Sequence, residues 1–132
     1  MTQPMNSKTV RVSIKCKPER VYEFILDLKN MPKWAKTYCL SIENSGDTWT
    51  IMTQQGKEGI KIAEKNTLGV LDHYITTASG KKVYVPVRVV PNGDHSEVLF
   101  TVFQRPEMSD KNFTKDIKLV KKDLMVLKGL LE

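Results

Sequence analysis

Only two cysteines and two histidines occur among the 132 residues, and that scarcity removes several kinds of site at once. Cys16 and Cys39 are too few to staple a domain of this size, so free thiols are expected. His73 and His95 stand far apart, with neither a CxxC nor an HExxH spacing, and no structural zinc site is expected. The seven glycines are scattered and form no GxxxxGK or GxGxxG, which takes away the usual cradle for nucleotide phosphates. No apolar run approaches the ~20 residues that a membrane-spanning helix needs. The opening MTQPMNSKTV has neither an apolar signal core nor an Arg-rich transit pattern. The expectation is a cytoplasmic chain with a flexible start over residues 1–7 and a single domain over 8–132.

What is present suits a globular protein. Hydrophobic residues make up 40% and charged residues 27%, and a chain of this length hides roughly two-thirds of its unfolded surface on folding. The formal charge of +6 invites nucleic acid, acidic proteins or anionic lipid as partners. Lysines are spread along the chain, however, and only the last helix is enriched, at Lys111, Lys115, Lys118, Lys121, Lys122 and Lys128. A solvated helix face is the plainer reading, and with no basic run interleaved by stacking aromatics, nucleic acid is not expected.

Val10, Val12 and Ile14 alternate with polar residues as in a half-buried strand. Pro18 suits the first turn of a helix carrying Val21, Tyr22, Phe24, Ile25 and Leu28, and MPKWAK opens a short second helix bearing Trp34. Six strand-like runs then follow, near 38–43, 48–54, 58–65, 70–77, 82–90 and 97–104, separated by turn residues such as Asn44-Ser45-Gly46-Asp47 and Pro91-Asn92-Gly93-Asp94. Ser109 can cap a long helix whose apolar positions are Phe113, Ile117, Val120, Leu124, Leu127 and Leu131. The expected architecture is α+β, in the order β-α-α-β-β-β-β-β-β-α, with a seven-stranded curved antiparallel sheet covered by the terminal helix. A long helix over a curved sheet leaves a gap, a natural place for an apolar ligand.

This order of elements resembles the START-like or SRPBCC helix-grip superfamily, and the local sequence is similar to its polyketide cyclase/dehydrase-like branch. The stretches that carry the resemblance are KPERVYEFILDLKNMPKW at 17–34, NTLGVLDHYI at 66–75, VPVRVVPNGDHSEVLFTVFQRPEMSD at 85–110 and DIKLVKKDLMVLKGLLE at 116–132. The resemblance implies a helix-grip fold with a ligand cavity between sheet and terminal helix. It implies no single activity, because the superfamily spans lipid carriers, hormone receptors, cyclases and chaperone-associated factors.

Asp72 and His73 are neighbours in the run 70–77, so the pleat sends them to opposite faces. A three-residue loop Ala78-Ser79-Gly80 sets Leu71 opposite Val87, His73 opposite Val85 and Ile75 opposite Val83, an apolar face. A two-residue turn would set Leu71 opposite Arg88, and the apolar pattern rejects it. A four-residue loop Asn66–Gly69 sets Ile62 opposite His73 and Glu64 opposite Leu71, with Glu64 diagonal to His73. In the last hairpin Val87 faces Phe100, Val85 faces Val102 and Val89 faces Val98. His73 is therefore expected inside with Glu64, and Asp72 outside beside Arg88.

Three functions fit. The first is a binding module for a small apolar or aromatic, lipid-like molecule, with His73, Glu64, Trp34, Trp49, Ile62, Val85, Phe100, Phe113, Ile117 and Val120 as candidate wall residues. The second is a cyclase- or dehydratase-type enzyme using His73 with Glu64 as acid and base. The third is a protein-interaction or membrane-associated factor acting through its basic surface. Plainer roles stand beside each: His73 as a buried histidine satisfied by its neighbours, Trp34 and Trp49 as packing, and His95 as an exposed turn residue without a role. No cofactor or metal is implied, and a monomer or homodimer is expected.

Overall fold

A computed structural model describes residues 3–132; Met1 and Thr2, part of the expected loose start, lie outside the described residues. The chain runs β1 (Ser7–Ile14), α1 (Pro18–Leu26), a 3₁₀ turn (Leu28–Asn30), α2 (Met31–Trp34), β2 (Ser41–Ser45), β3 (Thr48–Thr53), β4 (Gly56–Ile62), β5 (His73–Thr76), β6 (Lys82–Val85), β7 (Val87–Asn92), β8 (His95–Phe103) and α3 (Asp110–Leu131). Eight strands form where seven were expected, and they lie in two antiparallel sheets, β1-β8-β7 and β2-β3-β4-β5-β6.

The extra strand comes from one residue. The expected run 82–90 divides at Pro86, which has no N–H to give to a ladder and ends β6 before β7 begins. The segment before β5 closes the gap: Leu71 N–H donates to Val87 O at 2.8 Å and Val89 N–H to Gly69 O at 2.9 Å. Gly69 has φ +74°, and a Cβ there would sit 2.1 Å from the Val89 carbonyl oxygen, so this close approach of two backbones requires glycine.

Loop length set the register as patterning required, except that Val85 does not pair with Val102: β6 ends before Pro86 and lies in the other sheet from β8. His73 pairs with Val85 and Ile75 with Val83, Ile62 pairs with His73, and Val87 and Val89 pair with Phe100 and Val98. Gly80 takes the left-handed position of its loop at φ 86°. Asn66 organises the 66–69 loop by giving its amide to Glu64 O and Val70 O and accepting from Leu68 N–H and Val70 N–H. Its own N–H donates to the Tyr22 hydroxyl at 2.9 Å, tying the loop to α1.

α1 starts at Pro18 and buries Val21, Tyr22 and Ile25, packing against β7 and β8. Ser109 caps α3 by accepting from Asn112 N–H, and the helix lies along β1, burying Leu124, Leu127 and Leu131. The core gathers Ile14, Val21, Ile51, Leu71, Val98, Leu124 and Leu127, all essentially inaccessible. Truncating any of its leucines to alanine removes about 2–5 kcal/mol of stability. Among the described residues no helix is long and apolar enough to cross a membrane.

Candidate functional site

Between the sheets, α2 and α3 lies a cavity of about 890 Å³. Its apolar wall comes from Ile75, Val83, Val85, Phe100, Trp34 and Val120. His73 stands in this wall at 7% exposure, between Ile62 on β4 and Val85 on β6. Its position follows from the pleat: β5 alternates buried His73 and Ile75 with exposed Tyr74 and Thr76.

His73 Nδ1 meets the Leu71 carbonyl oxygen at 3.2 Å, and because a carbonyl only accepts, Nδ1 carries the hydrogen. Burial pushes the imidazole pKa below its usual value of 6.5, opposed by the Leu71 bond and by the nearby Asp72 charge. The ring is thus neutral at pH 7, with the lone pair on Nε2. That nitrogen has no protein partner among the described residues, and it is not sealed in packing, so it faces the void. The indole Nε1–H of Trp34 also lacks a partner, but it is enclosed by packing.

On the opposite face of β5's approach, Asp72 is saturated. Its carboxylate accepts from Tyr84 Oη at 2.7 Å, Val87 N at 3.0 Å, Arg88 Nε at 3.1 Å and Arg88 Nη2 at 2.9 Å. Those bonds, Arg88 first, hold the Asp72 pKa below the usual carboxylate value. The expected surface pair with Arg88 forms, yet it does more than join two charges, since it supplies the acceptor for the buried Val87 N–H beside Pro86.

Several expected wall residues lie elsewhere. Glu64 is exposed and makes no contact with His73: β4 ends at Ile62, and the next residues belong to the Asn66-organised loop, where the alternation of faces no longer applies. Trp49 and Ile62 pack against the core rather than the cavity, Trp49 because β3 stands two strands away from β5. Phe113 and Ile117 also leave the cavity wall. The apolar stripe on α3 marks where the helix is tightly packed, whereas the cavity sees the adjoining stripe Asn112, Asp116, Leu119, Val120 and Asp123. Of the candidates, Trp34, His73, Val85, Phe100 and Val120 line the void.

Two carboxylates on that stripe escaped the sequence reading. Asp123 is 6% exposed and accepts from Thr37 N–H at 3.1 Å and Thr37 Oγ1 at 2.7 Å, fastening α3 to the segment after α2. Burial raises its pKa, as it does that of Asp116. The signal was available: Asp123 falls between Val120 and Leu127 at helical spacing. Near the same wall Tyr38 donates its hydroxyl to Glu58, and burial followed by that bond pushes the phenol pKa up. The Cys39 thiol is pushed up to about 11 by burial, and both cysteines are free. Among the described residues no three His, Cys, Asp or Glu side chains gather to hold a metal ion. Lys111, Lys115, Lys118, Lys121 and Lys122 are exposed along α3, while Lys128 donates to Ser13 O and Glu132.

Comparison with solved structures yields matches over nearly the whole chain. XoxI from Bacillus cereus is 17% identical, with a TM-score of 0.74 and 96% of each chain covered. The Aha1 dimer from Colwellia psychrerythraea is 19% identical at a TM-score of 0.77, with 97% of each chain covered. Ara h 8.0201 is 14% identical at a TM-score of 0.69, covering 96% of this chain and 97% of its own. The fold is a helix grip. In this helix grip the long last helix and two antiparallel sheets border a partly open cavity, with His73 in its wall. Neither a family model nor a curated protein matches the chain.

Proposed function

We propose that this helix grip binds a small, mainly apolar or aromatic molecule between the sheets and α3. The observation that carries the reading is the cavity itself: its volume of about 890 Å³ falls within the roughly 300–1,000 Å³ of small-molecule sites. Its wall divides in two: aliphatic and aromatic side chains such as Ile75, Val83, Val85 and Phe100 surround His73, and polar groups such as Gln54, Glu58, Arg105 and Asp116 also line it. One part can bury an apolar framework and the other can meet water or a polar end. Cytoplasmic placement and a single domain over residues 8–132 belong to the same proposal.

Catalysis by His73 with Glu64 has lost its second group, because Glu64 is exposed on a loop. The carboxylates of the cavity wall are Glu58, Glu107, Asp116 and Asp123. Asp123 is hydrogen-bonded to Thr37, Glu58 to Tyr38 and Glu107 to Arg105, and His73 bonds to the Leu71 carbonyl and to none of the four. Ligand binding needs no such partner.

Native mass spectrometry of the purified protein, together with titration of a fluorescent naphthalene-sulfonate dye, tests the reading. A co-purifying small molecule, or saturable dye binding that an apolar competitor reverses, is expected. No bound molecule and no saturable binding by any probe would overturn it.

A further inference from the structure

We infer that the ligand of this cavity presents a hydroxyl group to His73 Nε2 from an otherwise apolar, ring-sized framework. The inference rests on the proposed ligand binding and narrows its chemistry.

The Leu71 carbonyl fixes the hydrogen on Nδ1, which leaves Nε2 of the neutral ring as an acceptor and nothing else. Acceptors inside a fold are almost always paired, with protein, water or ligand, and this one is accessible from the cavity with no protein donor. Its partner therefore comes from outside the chain: water while the cavity is empty, and a donor on the ligand once that water is displaced. An ammonium group would meet the required polarity, but the surroundings of His73 are Ile62, Ile75, Val83 and Val85, and a charge buried among them carries a heavy desolvation cost. A carboxylate supplies no proton and would place its lone pairs against that of Nε2. A neutral hydroxyl meets both conditions. Trp34 does not compete for the role, because its N–H is sealed by packing and is a donor.

The Leu71 carbonyl is free for His73 through the same break that Pro86 imposes. In a full antiparallel pair Val87 N–H would return a bond to Leu71 O; here it goes to Asp72, and Leu71 O takes the imidazole instead. The tautomer of the anchor is thus set by the backbone of its own strand.

The test compares 2-naphthol, 2-methoxynaphthalene and 2-naphthoate with the wild-type protein and with His73→Phe and His73→Gln. Wild type is expected to bind 2-naphthol roughly tenfold tighter than 2-methoxynaphthalene, the value of one buried hydrogen bond. His73→Phe should bind the two equally, at about the wild-type affinity for the methoxy compound. A measurement without any variant at position 73 runs in parallel: ¹⁵N imidazole spectra, with His95→Gln assigning the two histidines, should show Nε2 of His73 shift on addition of 2-naphthol and stay put with the methoxy compound. Equal binding of naphthol and methoxynaphthalene by wild type, an unchanged preference in His73→Phe, tighter binding of naphthoate, or a silent Nε2 would each overturn the inference while leaving an apolar binding site in place. Failure of every probe and dye to bind would instead remove the underlying binding reading.

Discussion

Asp72 and His73 are adjacent, yet they meet opposite conditions. Asp72 has four donors around one carboxylate on the outer surface, whereas His73 has one bond and one idle nitrogen inside the cavity. Both draw on the same interrupted backbone pair, Asp72 taking the N–H of Val87 and His73 taking the carbonyl of Leu71. A group whose valences are all used locally serves the fold. One with spare capacity turned toward a void is available to something else.

The first way to break this contrast is to remove the seam on which both depend. Gly69→Ala places a Cβ against the Val89 carbonyl at a left-handed φ, and a loss of about 3 kcal/mol is expected in denaturant unfolding. An unchanged midpoint would mean that the two segments do not approach as described. Next comes Asp72→Ala, which strands the buried Val87 N–H and the Arg88 guanidinium; a loss of about 2 kcal/mol is expected, with naphthol discrimination retained.

His73→Phe should cost at most about 1 kcal/mol in stability, because the replacement is apolar and fits an apolar wall. It should abolish the hydroxyl preference measured by probe titration. The pair is then separated cleanly: one substitution affects folding, the other affects recognition.

Titration sharpens the same difference. The folded pKa of His73 is depressed, so the unfolded chain takes up its proton first; the stability tied to it is present above pH ~6.5 and is lost as pH falls through the folded value. Asp72 is also depressed, but from the carboxylate range, so its contribution holds above pH ~4 and is lost only below that. Thermal unfolding across pH should therefore lose its first acid-side slope in His73→Phe and part of the second in Asp72→Asn. The smallest effect belongs to Glu64→Gln, where exposure predicts a change within about 0.5 kcal/mol and no change in ligand binding. A measurable loss of naphthol affinity there would return Glu64 to the site.

The facing of β5 was legible because hairpin loops and apolar alternation had to agree, and only one register satisfied both around His73. The same alternation misled at Glu64, since it was extended two residues past the end of β4 into a loop held by Asn66. Pro86 was visible in the run 82–90, and its missing N–H is what divides that run between two sheets. On α3 the apolar stripe located the packed side of the helix, so Phe113 and Ile117 were assigned to the void in place of Asp116 and Leu119. Cavities adjoin the densest packing rather than coincide with it. Hydrophobic pattern alone does not separate the two.

The half-made pair between Leu71 and Val87 has a further consequence. A slip of one residue in this strand would turn an unscreened carboxylate into the apolar void and an imidazole out to solvent, so an odd shift carries two penalties at once. Two unlike neighbours thus act as a parity check on the strand: the fold accepts only the alignment that also leaves the imidazole ready to receive a proton donor.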